Sequence, residues 1–164
     1  MRRLQPRPGV ARGGDRSGEG AGRGALRGLQ PEYNLADRKG FEDGLADLCK
    51  REAIGVITYF SLAKGFLSGK YRSEADLGKS ARGGGIAAYL NPRGLRILDA
   101  LEAVAAQHKA KPAEVALAWA MARPGVTAPI ASATSVEQAD SLIRAAELTL
   151  APADMATLNE ASAY

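Results

Sequence analysis

Gly55-Val56-Ile57-Thr58-Tyr59, leading into a Gly- and Lys-punctuated run over residues 61–82, decides how the chain is read. Gly55 stops a helical pattern, and the β-branched and aromatic residues after it predict a buried strand. The run beyond the strand is long for a connection, and loops of this length in compact domains usually bind something. Upstream, residues 27–31 form a weaker first strand. Phe41, Leu45, Leu48 and Cys49 then recur at i, i+4, i+7 and i+8, one face of a single helix. Downstream, Asn91-Pro92 predicts a helix start with a stripe of Leu95, Leu98, Leu101 and Val104 or Ala105. Pro112 opens another helix, lined on one side by Val115, Ala118, Trp119 and Ala122 and ended by Pro124-Gly125. Residues 126–131 are a third strand candidate, Ser135 caps a helix carrying Val136, Ala139, Leu142 and Ile143, and Pro152 opens a last helix with Met155 and Leu158. Three strands and about five helices in alternation predict an α/β fold with a parallel sheet.

Composition divides the chain in two. Met1 to Arg27 holds seven arginines against Asp15 and Glu19, a net charge of +5. The remainder holds 15 basic and 16 acidic side chains, so the body is close to neutral and nucleic acid is not its expected partner. Residues 1–28, rich in Arg, Gly and Pro without periodicity, read as a disordered segment. Arg12-Gly13-Gly14 and Arg23-Gly24 are of a kind found in RNA-binding tails. The abrupt change of character at Leu29 also fits an out-of-frame or mis-started reading of a GC-rich gene. A transit peptide is a further reading of an Arg-rich start, but this one is Gly-rich rather than Ser-rich. Cys49, the single cysteine, rules out an intramolecular disulfide and fits a reducing cytoplasm; on its stripe it reads as a core residue. No run approaches the ~20 apolar residues that span a bilayer.

Several motifs fail their own tests. Gly78-Lys79-Ser80 lacks the glycine a phosphate loop needs five positions earlier, where Ser73 stands. Arg82-Gly83-Gly84-Gly85 is a single copy inside a loop. No glycine-rich dinucleotide fingerprint comes after a strand, and no His, Cys and carboxylate cluster has metal-ligand spacing. His108, the only histidine, reads as a solvated surface residue.

Three segments carry a specific resemblance. Leu29-Gln30-Pro31-Glu32-Tyr33-Asn34-Leu35 with Asp37-Arg38 resembles the sixth-strand region of bacterial and potassium-channel-β-like aldo-keto reductases. The run from Ile57 to Tyr71 resembles the seventh strand and its loop, and Pro129 to Gln138 resembles the eighth strand and the start of its helix. The resemblance implies that residues 29–164 are the C-terminal half of a (β/α)₈ TIM barrel: about three parallel strands with covering helices, an incomplete barrel whose site lies at the C-terminal strand ends.

The resemblance also implies NADP(H) as cofactor, NAD(H) remaining open, and a small carbonyl compound as substrate. Gln30 would hydrogen-bond the nicotinamide carboxamide and Tyr59 would stack on its ring. Leu62, Lys64 and Gly65 would wrap the pyrophosphate, where backbone N–H groups suit an anion. Ser132 and Thr134 would meet the 2′-phosphate end at a helix N-terminus, and Gln138 and Ser141 would face the adenosine. Read alone, Tyr59 is a core residue, and Ser132 and Thr134 are helix caps. The sequence departs from the family pattern in Leu142 for a frequent Asn, Gln138 for a frequent Arg and Phe60 for a frequent Ser, which loosens the preference for NADP(H). No segment resembles those that carry the family's Asp, Tyr, Lys and His, so no catalytic residue is expected here. Without that acid, hydride transfer would lose a factor of ~10²–10⁴. Open sheet edges would make the chain marginally stable, prone to self-association or to pairing with a missing N-terminal half. The alternative function is a non-catalytic interaction protein, either a half-barrel partner or an Arg-Gly-tailed RNA binder.

Overall fold

A short extended run after a glycine needs strand neighbours on both sides for its backbone groups, and β2 (Gly55–Thr58) finds them. In the computed structural model, which describes residues 26–79 and 83–164, β2 lies between β1 (Gly28–Leu29) and β3 (Ala128–Pro129). Both pairs are parallel, with Leu29 opposite Val56 and Thr58 opposite Pro129. Bonds from Tyr59 N to Pro31 O at 2.9 Å and from Ile130 N to Thr58 O at 2.8 Å carry the ladder past the strand ends. The segment expected to be disordered lies, but for its last three residues, outside the described residues.

The helices are α1 (Lys39–Glu42), α2 (Leu45–Arg51), α3 (Pro92–His108), α4 (Pro112–Met121), α5 (Val136–Glu147) and α6 (Pro152–Ala161). Asn91 caps α3 as its sequence predicts, its side-chain oxygen accepting from Gly94 N at 2.9 Å. In the same way, Ser135 Oγ accepts from Gln138 N at the start of α5. Short 3₁₀ turns recur along the described part of the long connection between β2 and α3.

The structure corrects six expectations. The helix predicted through Phe41 and Cys49 is two, because Gly44 takes φ 90° and breaks it after one turn. The strand predicted as buried alternates: Val56 and Thr58 face the helices, while Ile57 is 44% exposed on the other side of the sheet. On α3, Ile97 rather than Leu95 completes the buried stripe. α4 is not one-sided, since every residue from Glu114 to Ala120 is buried, whereas Ala122 is exposed beyond its end. The helix is wrapped by α3, α5, β3 and the turn at Ala63–Ser68, so no side remains for solvent. The α5 stripe is the reverse case: Val136 is 79% exposed and Ala139 and Ile143 are exposed, while Ala145 is buried, Leu142 is half-buried and Ser141 bonds to Glu114 of α4. His108 is also more than a solvated surface group. Its Nε2 lies 2.8 Å from Asp154 Oδ2, tying the end of α3 to the start of α6.

Gly94 marks the closest approach in the fold. A Cβ there would run into the Tyr89 carbonyl oxygen and lie 3.1 Å from the Phe66 ring. Gly94→Ala is expected to cost about 2 kcal/mol net: the obstacle is backbone, which puts overpacking at its ~3 kcal/mol upper end, less ~1 kcal/mol of helix propensity. Urea unfolding followed by circular dichroism measures it, and a stabilised variant would contradict the close approach.

Candidate functional site at the C-terminal strand ends

Parallel pairing puts the C-terminal ends of all three strands on one rim, so the residues just past each strand are gathered there. After β1 comes exposed Gln30, then Glu32, which bridges to Tyr59 in parallel register. After β2 comes Tyr59, half-buried, its ring meeting Phe60 edge-on at 5.2 Å and its hydroxyl 3.5 Å from Glu32 Oε2. After β3 comes Ile130, exposed, and then exposed Ser132 and Thr134.

The loop after β2 has an irregular backbone over residues 60–65, where the sequence gives only one glycine. Phe60, Ala63, Lys64 and Gly65 all have positive φ, at 51°, 47°, 60° and 103°. Left-handed conformations at non-glycine residues cost ~1–3 kcal/mol each and persist only where surroundings impose them. Here the surroundings are explicit. Buried Asn34 donates from Nδ2 to Phe60 O at 3.0 Å and to Asp37 Oδ2 at 3.1 Å. Its Oδ1 accepts from the N–H groups of Ala36 and Asp37, at 2.8 and 2.9 Å. Buried Ser61 donates to Thr58 O at 3.3 Å, and Tyr89 donates its hydroxyl to Asp37 Oδ2 at 2.7 Å.

Leu62 and Gly65 are half-buried within this loop. Lys64 Nζ sits 5.5 Å over the Phe60 ring and 6.0 Å over the Tyr89 ring, within cation–π range. Burial pushes the Glu32 carboxyl above its ordinary range and nearby Asp37 adds to this, against the pull of Lys64 and Tyr59. Burial likewise raises the Tyr89 hydroxyl, with its bond to Asp37 next in weight. Lys64 is thus held over the Phe60 and Tyr89 rings, within electrostatic reach of Glu32.

At the β3 end, Gln138 Oε1 accepts from Thr134 N at 2.9 Å and from Thr134 Oγ1 at 3.1 Å. Ser141, expected at an adenosine, turns inward and donates to Glu114 Oε1 at 2.6 Å. Glu114 is buried, and burial opposes its charge, yet bonds from Ser141, Lys111 N and Arg144 hold its carboxyl below the ordinary range.

Of the nine residues singled out from sequence, Gln30, Tyr59, Leu62, Lys64, Gly65, Ser132 and Thr134 therefore lie along the rim or in the loops that leave it, and Gln138 lies in the first turn of α5, bonded back to Thr134. Ser141 bonds into the helix layer behind. Sequence reasoning missed Glu32, Asn34, Asp37 and Tyr89. The Asn34-x-x-Asp37 spacing is a turn signal that could have been read. Tyr89, 52 positions from Asp37, carries no such signal.

Comparison with known proteins agrees with this geometry. The model of the Aldo/keto reductase family matches residues 26–163. Uncharacterized oxidoreductases of Mycobacterium bovis and Mycobacterium tuberculosis are 39% identical over 141 residues, covering 81% of this chain and 41% of theirs. L-glyceraldehyde 3-phosphate reductase of Escherichia coli (strain K12) is 29% identical over 80% of this chain and 40% of its own length. A crystal structure of a thermostable aldo-keto reductase with the inhibitor epalrestat superposes with TM-score 0.63 at 22% identity, over 90% of this chain and 43% of that one. The chain thus spans about two fifths of the length of the curated relatives it matches. The open three-stranded sheet with its helices has the fold of part of a (β/α) barrel.

Proposed function

Because the chain belongs to the aldo/keto reductase family, we propose that its strand-end rim binds a nicotinamide dinucleotide for the reduction of a small aldehyde or ketone. The observation that carries this reading is that Gln30, Tyr59 and Ser132 come after three neighbouring parallel strands at the same end. That end is where α/β barrels hold their ligands. The donor set suits such a ligand. Gln30 offers an exposed amide for a carboxamide, and Tyr59 offers a ring already braced by Phe60. The left-handed stretch through Ala63, Lys64 and Gly65 turns the backbone around one cation, a form that suits a pyrophosphate. Ser132 and Thr134 take the adenosine-ribose end, for which the family resemblance implies NADP(H), with NAD(H) open. Ser141 keeps its bond to Glu114 and stands behind the surface.

Bound there, a reduced nicotinamide supplies the hydride that turns a carbonyl into an alcohol. This chain binds and orients; the proton donor for the carbonyl oxygen comes from family segments that nothing in residues 29–164 resembles. The chain by itself therefore binds cofactor weakly and turns over no substrate, and it works in the cytoplasm. Among the described residues, no helix is long and apolar enough to cross a membrane.

Titration of the full chain with NADH and with NADPH, followed by reduced-nicotinamide fluorescence, tests the reading. Saturable binding of either is expected. Tyr59→Ala is expected to weaken it about 2- to 10-fold, matching an aromatic contact of ~0.5–1.5 kcal/mol. Absence of saturation with both cofactors would sink the proposal.

A second reading rests on a separate observation. β1 and β3 each pair only with β2 among the described residues, and Ile57 and Ile130 are exposed. A half-barrel that associates with a partner chain or a second copy would cover these groups. Sedimentation at micromolar concentration separates the readings: a monomer counts against association. The Arg-Gly-tailed alternative falls outside the described residues.

A further inference from the structure

We infer that the outer face of α5 docks a second copy of this chain, the two α5 helices packing antiparallel about a two-fold axis at the level of Ser141. The inference is independent of the dinucleotide reading, and it places self-association on a helix face rather than on the sheet edges.

The helix has a covered side and an open one. It buries Ala145, and Ser141 bonds inward to Glu114 of α4. On the opposite side Val136, Ala139, Ile143 and Ala146 are all exposed, Val136 at 79% and Ile143 at 58%. A single exposed apolar residue needs no partner, but a run of them along one face marks an interaction surface. The spacings of three, four and three between these residues are those of an a/d seam. Such a seam fits another helix rather than a strand or a loop.

The order of sizes along the seam says which helix. Val136 and Ala146 each lie five positions from Ser141, and Ala139 and Ile143 each lie two. An antiparallel pair centred on Ser141 therefore brings Val136 level with Ala146 of the second copy, and Ala139 level with Ile143. Every large side chain meets a small one, the alternation that fills space between facing positions. The contact is also self-complementary, as a two-fold interface must be. A parallel pair would set alanine against alanine at both small positions and leave gaps.

The helix ends agree with this arrangement. Glu147 sits in the last turn of α5, where the helix dipole disfavours a carboxylate. In the antiparallel pair it comes level with Val136 of the second copy, at the helix end where a carboxylate is favoured. Exposed Asp140 lies beside the axis and faces its own copy, which weakens the pair.

Sedimentation velocity of the full chain tests the inference. One helix pair covers less than the ~1,200–2,000 Å² of a standard stable interface, so the measurement runs from about 10 µM to about 1 mM. A monomer–dimer equilibrium is expected within that range. Ile143→Glu is expected to weaken the dimer at least tenfold, and its circular dichroism should match the wild type because the side chain is exposed. Asp140→Asn, which removes the like-charge contact across the axis, is expected to tighten the dimer by about two- to threefold. A chain that stays monomeric throughout overturns the inference. A dimer that Ile143→Glu leaves equally tight also overturns it, and assigns the association to the sheet edges. A dimer weakened by Asp140→Asn overturns the two-fold arrangement, since Asp140 would then be meeting a cation. Nucleotide titration is read separately, so failure here leaves the dinucleotide reading standing.

Discussion

Trp119→Ala is expected to destabilise the chain by about 3–5 kcal/mol, the range for deleting a large buried aromatic ring. Trp119 has no exposed surface and lies at the heart of α4, the helix buried on every side. Its indole Nε1 donates to Asn159 Oδ1 at 3.0 Å, joining α4 to α6. The Tyr33 ring lies 5.4 Å away, and the guanidinium groups of Arg38 and Arg123 stand over the indole at 5.7 and 5.4 Å. Alanine leaves a void with these partners around it. Since domains of this kind have only ~5–15 kcal/mol to lose, a large part of the population should unfold. Trp119→Phe keeps most of the volume and loses the Nε1 bond, so a smaller cost of about 1–2 kcal/mol is expected. Urea denaturation at pH 7, followed by far-ultraviolet circular dichroism, measures both. A Trp119→Ala variant within 1 kcal/mol of the wild type would show that α4 is not the centre of the packing.

Glu42→Ala should have the next largest effect, about 2–3 kcal/mol. Glu42 Oε1 accepts from the Tyr33 hydroxyl at 2.6 Å, from Arg38 Nε at 3.0 Å and from an Arg123 NH2 group at 3.1 Å. Its Oε2 accepts a further bond from Arg38 at 3.0 Å. Breaking a fully buried pair costs ~3–5 kcal/mol, but 28% of this side chain is exposed and solvent screens part of the charge. Removal takes the carboxylate from both guanidinium groups over Trp119, leaving Arg38 its bonds to Asn159 O and Ser162 Oγ and Arg123 its bonds to the Tyr33 hydroxyl and Asn159 Oδ1.

The same carboxylate sets a pH dependence. Burial opposes its ionised form, but the hydrogen bonds from Arg38 and Tyr33 and the two guanidinium charges outweigh it and hold its pKa below the ordinary 4.5. A depressed carboxyl contributes stability that is fully present above the unfolded value and is lost as pH falls through the folded one. Stability should therefore drop as pH falls below 4.5. Glu114 and Asp154 are depressed as well and add to the slope. Glu42→Gln should flatten the acid limb without abolishing it; an unchanged limb would mean that Glu42 is not ionised in the folded chain.

The sequence made legible whatever depends on neighbours along the chain. Gly55 before Val56 placed the central strand, because a helix break with β-branched residues directly after it is a local event. Asn91 and Ser135 placed the starts of α3 and α5, because a cap bonds to an N–H three residues on. Gln30, Tyr59 and Thr134 could be set on one rim from resemblance and strand order, since parallel pairing sends every strand end the same way.

Only the tertiary structure decided whatever depends on contacts across the chain. Periodicity gave α4 one apolar side, but a small Ala-rich surface can be covered from all sides, and its neighbours do cover it. Periodicity gave α5 a buried stripe, yet Val136 and Ile143 face outward because Ser141 and Arg144 draw the helix onto Glu114 instead. The left-handed residue that opens the loop after β2, Phe60, is held by Asn34, 26 positions before it. Gln138 stands four positions from Thr134, but whether its amide lies on that donor or swings to solvent is a matter of side-chain conformation. Local spacing fixes which backbone groups lack partners; distant residues, competing for those same groups, determine where each of them finds one.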